Sequence, residues 1–137
     1  MARRAHLLSL LDELIAARSR RDFARLDRLM CDDVTYYLAG QRMLMPYAGI
    51  FEGRAAVRQA LYALDVEFEF SDLCVDNILV EQEAMAVRWS ARWTNRGTGE
   101  SAFLPAFAHL TFDGDRLKGC TDFVDTAAAA KLAGWGA

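Results

Sequence analysis

Ala106-Phe-Ala-His-Leu-Thr-Phe-Asp-Gly-Asp-Arg-Leu-Lys-Gly-Cys-Thr-Asp-Phe-Val124 is the stretch on which the fold turns. Asp113-Gly114 stands between two runs rich in alternating apolar residues. Asp-Gly in that setting is a strong hairpin signal, because both central turn positions favour positive φ. One strand is therefore expected over about 101–112 and its partner over about 116–125. Working backwards, Asn95-Arg-Gly-Thr-Gly99 and Glu81-Gln-Glu83 break the chain in the same way and add strands over about 84–94 and 66–80. Strands joined by such short turns form an antiparallel meander. Pro105 has no N–H for the ladder, so it marks an edge or a bulge, and a bulge there would sharpen the bend of the sheet.

Towards the N-terminus the apolar period lengthens. Leu7, Leu10, Leu11, Leu14 and Ile15 recur at helical spacing and predict an amphipathic helix over about 4–18. Ser19-Arg-Arg-Asp22 reads as a capping box, opening a short second helix with Phe23, Leu26, Leu29 and Met30 on its buried side. The two helices pack as a hairpin. Val34-Thr-Tyr-Tyr-Leu38 has strand composition, and a loop from Ala39 to Phe51 follows, with Gly40, Pro46 and Gly49 as turn formers. Met43, Leu44 and Met45 within it read as adaptable packing. Gly53–Leu64 is a third helix with Val57, Ala60, Leu61 and Leu64 at buried spacing. Thr126 caps a last short helix through Lys131 or Leu132, which Gly134 ends. The class is α+β, with a curved antiparallel sheet wrapped over about three helices in one domain spanning 1–137. Such a sheet buries one face fully only by curling, and the curl leaves a cavity where a ligand would go.

Composition narrows the function classes. The 137 residues are 53% apolar and 26% charged, the balance of a globular chain with a substantial core. A formal charge of −3 gives no general attraction to nucleic acid, and Arg3, Arg4, Arg18, Arg20 and Arg21 read as a solvated helix surface. Cys31, Cys74 and Cys120 are an odd number without metal-ligand spacing, so neither a disulfide framework nor a metal site is expected. No run approaches the roughly 18 apolar residues that cross a bilayer, so no membrane partner is expected. The opening MARRAHLLSLL is basic and leucine-rich, but Asp12 and Glu13 interrupt it and no cleavage pattern follows. A reduced, cytoplasmic protein is the expectation. No phosphate loop, nucleotide fingerprint or Ser-His-Asp ordering is present, and no cofactor is expected.

Four segments carry a family likeness: Leu29-Met-Cys-Asp-Asp-Val-Thr-Tyr36, Pro46-Tyr-Ala-Gly-Ile-Phe-Glu-Gly-Arg54, Ala86-Val-Arg-Trp-Ser90 and Cys120-Thr-Asp-Phe-Val-Asp125. In their order and spacing they resemble the nuclear transport factor 2-like superfamily, in its SnoaL-like branch. That group includes ketosteroid isomerases, limonene-1,2-epoxide hydrolases and polyketide cyclases. The likeness runs from about Leu8 to Leu132. It implies a cystatin-like cone around one mainly apolar pocket for a small, oxygenated molecule.

Matched to ketosteroid isomerases, the base falls on Leu38, the tyrosine on Leu14 and the acid on Ala108, or on Phe107 if a bulge shifts the count. None can move a proton, so the resemblance leaves these four as substrate contacts, together with Tyr47 and Ser90. Matched to the epoxide hydrolases, Arg88 stands for the arginine, Asp122 for the water-activating aspartate and Tyr36 for the tyrosine. Ser90 replaces the acid that protonates the epoxide, and Leu38 replaces the asparagine. The catalytic candidates are thus Asp122, Arg88 and Tyr36. Asp122 in an apolar cavity would have a raised pKa suited to general base or acid work. The alternative readings are an exposed strand end or an ion partner of Arg88.

For Arg88 the two arguments conflict. Strict alternation buries Val87, Trp89, Ala91 and Trp93 and turns Arg88, Ser90 and Arg92 to water. The resemblance implies the reverse, with Arg88 in the pocket and the tryptophans outside. Exposed tryptophans favour association, so that reading brings a homodimer through the outer sheet face at Trp89 and Trp93. His109, in an apolar run, reads as a hydrogen-bonded structural residue before a catalytic one, and His6 as solvent-facing. Two functions follow: an enzyme working through Asp122, or a non-catalytic ligand-binding or dimeric accessory module.

Overall fold

The computed structural model describes residues 2–40 and 47–135. The elements run α1 (Ala2–Ser19), α2 (Phe23–Leu29), β1 (Met30–Leu38), β2 (Gly49–Glu52), α3 (Arg54–Glu67), β3 (Phe68–Glu81), β4 (Ala84–Asn95), β5 (Ser101–Asp113), β6 (Arg116–Val124) and α4 (Thr126–Ala133). The strands form one sheet in the order β2-β1-β6-β5-β4-β3. β1 and β6 run parallel and the other neighbours antiparallel. This is the α+β cone anticipated above, a mostly antiparallel sheet with helices on its concave side. No helix among the described residues is long and apolar enough to cross a membrane.

Helix ends differ from the reading in instructive ways. α1 continues through Ser19, so no capping box forms there. Instead Asp22 N bonds Ala17 O at 2.9 Å and Arg21 N bonds Arg18 O at 3.2 Å, with Arg21 at φ 54°. That paired closure ends α1, although a left-handed residue is usually glycine. Asp22 then caps α2, accepting from Arg25 N at 3.0 Å. Likewise Asp125, not Thr126, caps α4 through Ala128 N at 3.0 Å, since a carboxylate one residue earlier reaches the first-turn amide. Gly134, at φ 76°, closes α4 as expected.

The hairpin turn lies one residue beyond Asp113-Gly114: Asp113 pairs with Arg116, and Gly114 and Asp115 are central. Pro105 makes no bulge. The β4–β5 register is unbroken there, and β6 pairing stops at Ala106↔Val124, so proline sits where its missing N–H has no ladder to join. Irregularities of the kind that bend strands lie elsewhere: the β3 register slips between Ser71 and Cys74 and again between Val75 and Asn77, with Asp72 at φ 54°, and further slips occur in the β1–β6 and β5–β6 pairings. Part of the segment read as a loop forms β2, where Gly49–Glu52 pairs with β1. Met43, Leu44, Met45 and Pro46 lie outside the described residues.

Alternation proves the right guide to β4. Met85, Val87, Ala91 and Trp93 are buried and Trp89 is half-buried on the concave face, while Arg88 and Arg92 are exposed. The placement of Arg88 in the pocket is therefore corrected, and so is a dimer contact through Trp89 and Trp93. Two large rings on one strand face find apolar cover only inside: Trp93 packs edge-on against Phe68 and Phe70, at 5.2 and 4.9 Å. The convex face carries Phe103, Phe107 and Phe123 instead, 48%, 55% and 54% exposed. His109 is exposed on that face too, away from the cavity wall.

Buried Asn95 fastens the far end. Its Oδ1 accepts from Gly97 N at 2.8 Å and Thr98 N at 3.3 Å, and its Nδ2 donates to Leu132 O at 3.0 Å. One amide thus shapes the β4–β5 turn and anchors α4.

Candidate functional site

Between the concave sheet face and helices α1 and α3 lies a cavity of about 580 Å³, with Leu11, Leu14, Leu61 and Leu64 on its helical wall. Ala91 and Ala106 supply little side-chain volume on the sheet wall, which keeps the space open. Exposed residues at the end of α1 and the start of β3, including Arg21, Glu69 and Asp72, form the rim.

β6 brings Asp122 to the cavity. It lies across from Ala108 on β5 and beside Leu38 on β1. On the parallel neighbour, Tyr36 pairs with Cys120, so alternation along both strands points Tyr36, Cys120 and Asp122 the same way. The Tyr36 hydroxyl donates to Asp122 Oδ2 at 2.7 Å. The Cys120 thiol stands 4.0 Å from Oδ1, a long and weak contact. Burial raises the Asp122 carboxyl from an ordinary 3.8 to about 6, against the opposing pull of the Tyr36 hydrogen bond and the Arg18 charge. Burial, followed by the Asp122 charge, pushes the Tyr36 hydroxyl and the Cys120 thiol well above their ordinary values. At neutral pH the site is a carboxylate flanked by a phenol and a thiol that keep their protons. With Tyr36 occupying Oδ2, Oδ1 is the oxygen free to exchange a proton with a ligand.

The remaining expectations divide. Leu14, Leu38 and Ser90 line the cavity with Asp122 and Tyr36. Ala108 is buried opposite Asp122 without forming part of the wall. Phe107 faces outward, since alternation on β5 turns half-buried Ala106 and buried Ala108 to the other side. Tyr47 packs against Trp135 at 5.5 Å, and burial with its neighbour Glu67 pushes its hydroxyl up, so it serves the α4 junction and not the wall. Arg88, opposite Phe107 in the ladder, belongs to the convex face.

A cation does reach the cavity, from a residue read as solvated surface. Arg18 Nη1 donates to Asp65 Oδ2 at 2.6 Å, and its guanidinium lies 5.4 Å from the Phe70 ring centroid. The signal was in the periodicity: Leu7, Leu11, Leu14 and Arg18 follow one helical stripe, and Leu61, Leu64 and Asp65 another. Among the described residues no group of three or more His, Cys, Asp or Glu side chains is placed to hold a metal ion.

A family model for the SnoaL-like domain matches residues 11–119. The chain belongs to the SnoaL-like domain family. The matched residues include Tyr36 and Cys31 and stop short of Asp122. No curated protein matches the chain in sequence. Among solved structures, the SnoaL-like domain is similar to an NTF2-like protein of unknown function from Burkholderia pseudomallei, at 21% identity and TM-score 0.84, covering 93% of this chain and 97% of that one. It is similar to TerC, crystallised with polyporic acid, at 17% identity and TM-score 0.83, covering 93% and 97%. A candidate SnoaL-like polyketide cyclase from Jannaschia gives 14% identity and TM-score 0.81, covering 94% and 92%. At such identities the likeness is one of fold.

Proposed function

We propose that residues 1–137 act as one SnoaL-like domain that admits a small, largely apolar, oxygen-bearing molecule and moves a proton on it through Asp122. The observation that carries this is a carboxyl group raised to about 6 on the wall of an apolar cavity. A base with that affinity is mostly ionised at neutral pH, yet once protonated it returns the proton readily. Tyr36 fixes the carboxylate through Oδ2 and leaves Oδ1 towards the ligand. The reaction class is proton transfer at an activated C–H or O–H bond, the step common to isomerisation, hydrolysis and cyclisation. The polyporic acid complex of TerC and the cyclase assignment of the Jannaschia relative support a ligand of this kind.

The test is deuterium uptake from D₂O into a panel of apolar ketones, followed by mass spectrometry. Asp122→Asn is expected to lower the rate by about 10²- to 10⁴-fold. A second reading, a non-catalytic ligand carrier, is favoured by the outward turn of Arg88 and by Leu38 and Ser90, which leave Asp122 without a second acid. Tight ligand binding with no exchange above that of Asp122→Asn would decide for the carrier. Self-association belongs to the same proposal, with the convex Phe103, Phe107 and Phe123 as the contact. Three free cysteines fit a reducing, cytoplasmic setting.

A further inference from the structure

Arg18 leaves the last turn of α1 and enters the cavity on a wall shared with Asp65 and Phe70. Asp65 is 4% exposed, so the ion pair between them is largely removed from water. A guanidinium presents five N–H donors in forked edges. Nη1 is committed to Asp65, and the guanidinium lies over the Phe70 ring. The Nε–Nη2 edge, two parallel N–H groups, has no protein acceptor among the described residues.

We propose that this edge receives a carboxylate, so that the cavity's ligand is an apolar carboxylic acid with its anionic head at Arg18 and its reacting carbon at Asp122. This rests on the reading of the cavity and Asp122 given above. Two parallel N–H groups match the two oxygens of a carboxylate, a pairing that is stronger and more directional than a single hydrogen bond. The Arg18 side chain is 26% exposed, so the head lies at the cavity's mouth, where a ligand carboxylate enters from water and its apolar body is covered by the leucine and tryptophan walls. Each carboxylate around the head has an arginine partner, so no uncompensated anion opposes a ligand carboxylate. Arg96 lines the same stretch and donates through Nε to the Asp65 carbonyl at 2.7 Å, adding a second cation. The rim carboxylates are held by arginines, Glu69 by Arg96 at 3.7 Å and Asp72 by Arg92 at 3.3 Å. Among the described residues Asp122 forms no ion pair, so a ligand carboxylate is disfavoured at that end and drawn to Arg18. The Phe70–Trp93 pair, at 4.9 Å, gives the apolar body a wall next to the head.

Isothermal titration with aryl-alkanoic acids, their methyl esters and their primary amides on one carbon skeleton tests this. The wild type is expected to bind each acid about 10- to 100-fold more tightly than its ester. The double variant R18M/D65L removes both members of the pair, leaving no orphaned buried charge, and is expected to bind acid and ester alike. Lysine at position 18 keeps the charge without the fork, so R18K should lose most of the preference as well. Equal affinity for acid and ester in the wild type, or an undiminished preference in either variant, overturns the proposal. Asp122→Asn should keep the preference. Loss of turnover with the preference retained supports both readings, whereas unchanged turnover with the preference retained removes the catalytic role of Asp122 and leaves the Arg18 assignment standing.

Discussion

Asp122 keeps its proton up to about pH 6 in the folded chain and releases it near 3.8 when the chain is open. Its contribution to stability is therefore full below the lower value and is lost as pH rises through the upper one. An uncharged amide suffers no such loss. Asp122→Asn is expected to be the more stable protein at pH 7, by at most about 3 kcal/mol, with the difference closing near pH 4. Urea unfolding of both proteins at the two pH values measures this, and a difference independent of pH would contradict it. Tyr36 works against burial by donating to the anion. Tyr36→Phe should push the Asp122 midpoint higher in a carboxyl-carbon NMR titration, and a lowered midpoint would show that the hydrogen bond does not favour the anion. Asp122 and Tyr36, singled out by the family resemblance, lie on strands whose alternation turns both towards the cavity. Arg88 was misplaced because family likeness locates a residue along a strand, while the packing of Trp89 and Trp93 decides which side it takes. Arg18 was overlooked among its arginine neighbours: its place on the apolar stripe of α1 marks it as inward-facing, but its partner Asp65 is 47 positions away.

At the level of elements, turns and caps report how securely each segment is tied. Asn95→Ala would leave the Gly97 and Thr98 amides and the Leu132 carbonyl without their partner. The expected cost is about 1–3 kcal/mol in urea unfolding, and α4 should gain fast amide exchange before the meander does. Uniform exchange across the molecule would argue that α4 is not separately anchored. The meander was legible to within two residues at every strand end, because short polar turns, two of them carrying Gly with Asp or Asn, separate long alternating runs. β2 was missed: four residues opening on a glycine are too short to show a period, and they become a strand only by lying against β1. The register slips of β3 were missed for a related reason. Proline announces itself in sequence, but the slips in β3 exist only relative to β4.

Across the whole molecule, the convex face is the feature least like an ordinary surface. Phe107 and Phe123 are directly paired across β5 and β6, and Arg92 lies over Phe103 at 5.8 Å. Contiguous exposed aromatics of this kind favour association. Sedimentation is expected to give twice the chain mass, and the double change F107E/F123E to give single chains that still fold. A single-chain mass for the unaltered protein would defeat the idea. The cavity lies on the opposite face and should bind ligand in either state. The parallel seam between β1 and β6 has a further consequence. Tyr36 and Asp122 are 86 positions apart, so no fragment confined to one end of the chain holds both halves of the proton-handling pair. Helices and hairpins, being local, can form while the polypeptide is still emerging; the seam must wait for β6 to dock against β1. Affinity for ligand should accordingly return last in refolding, making the bound small molecule a gauge of chain completion.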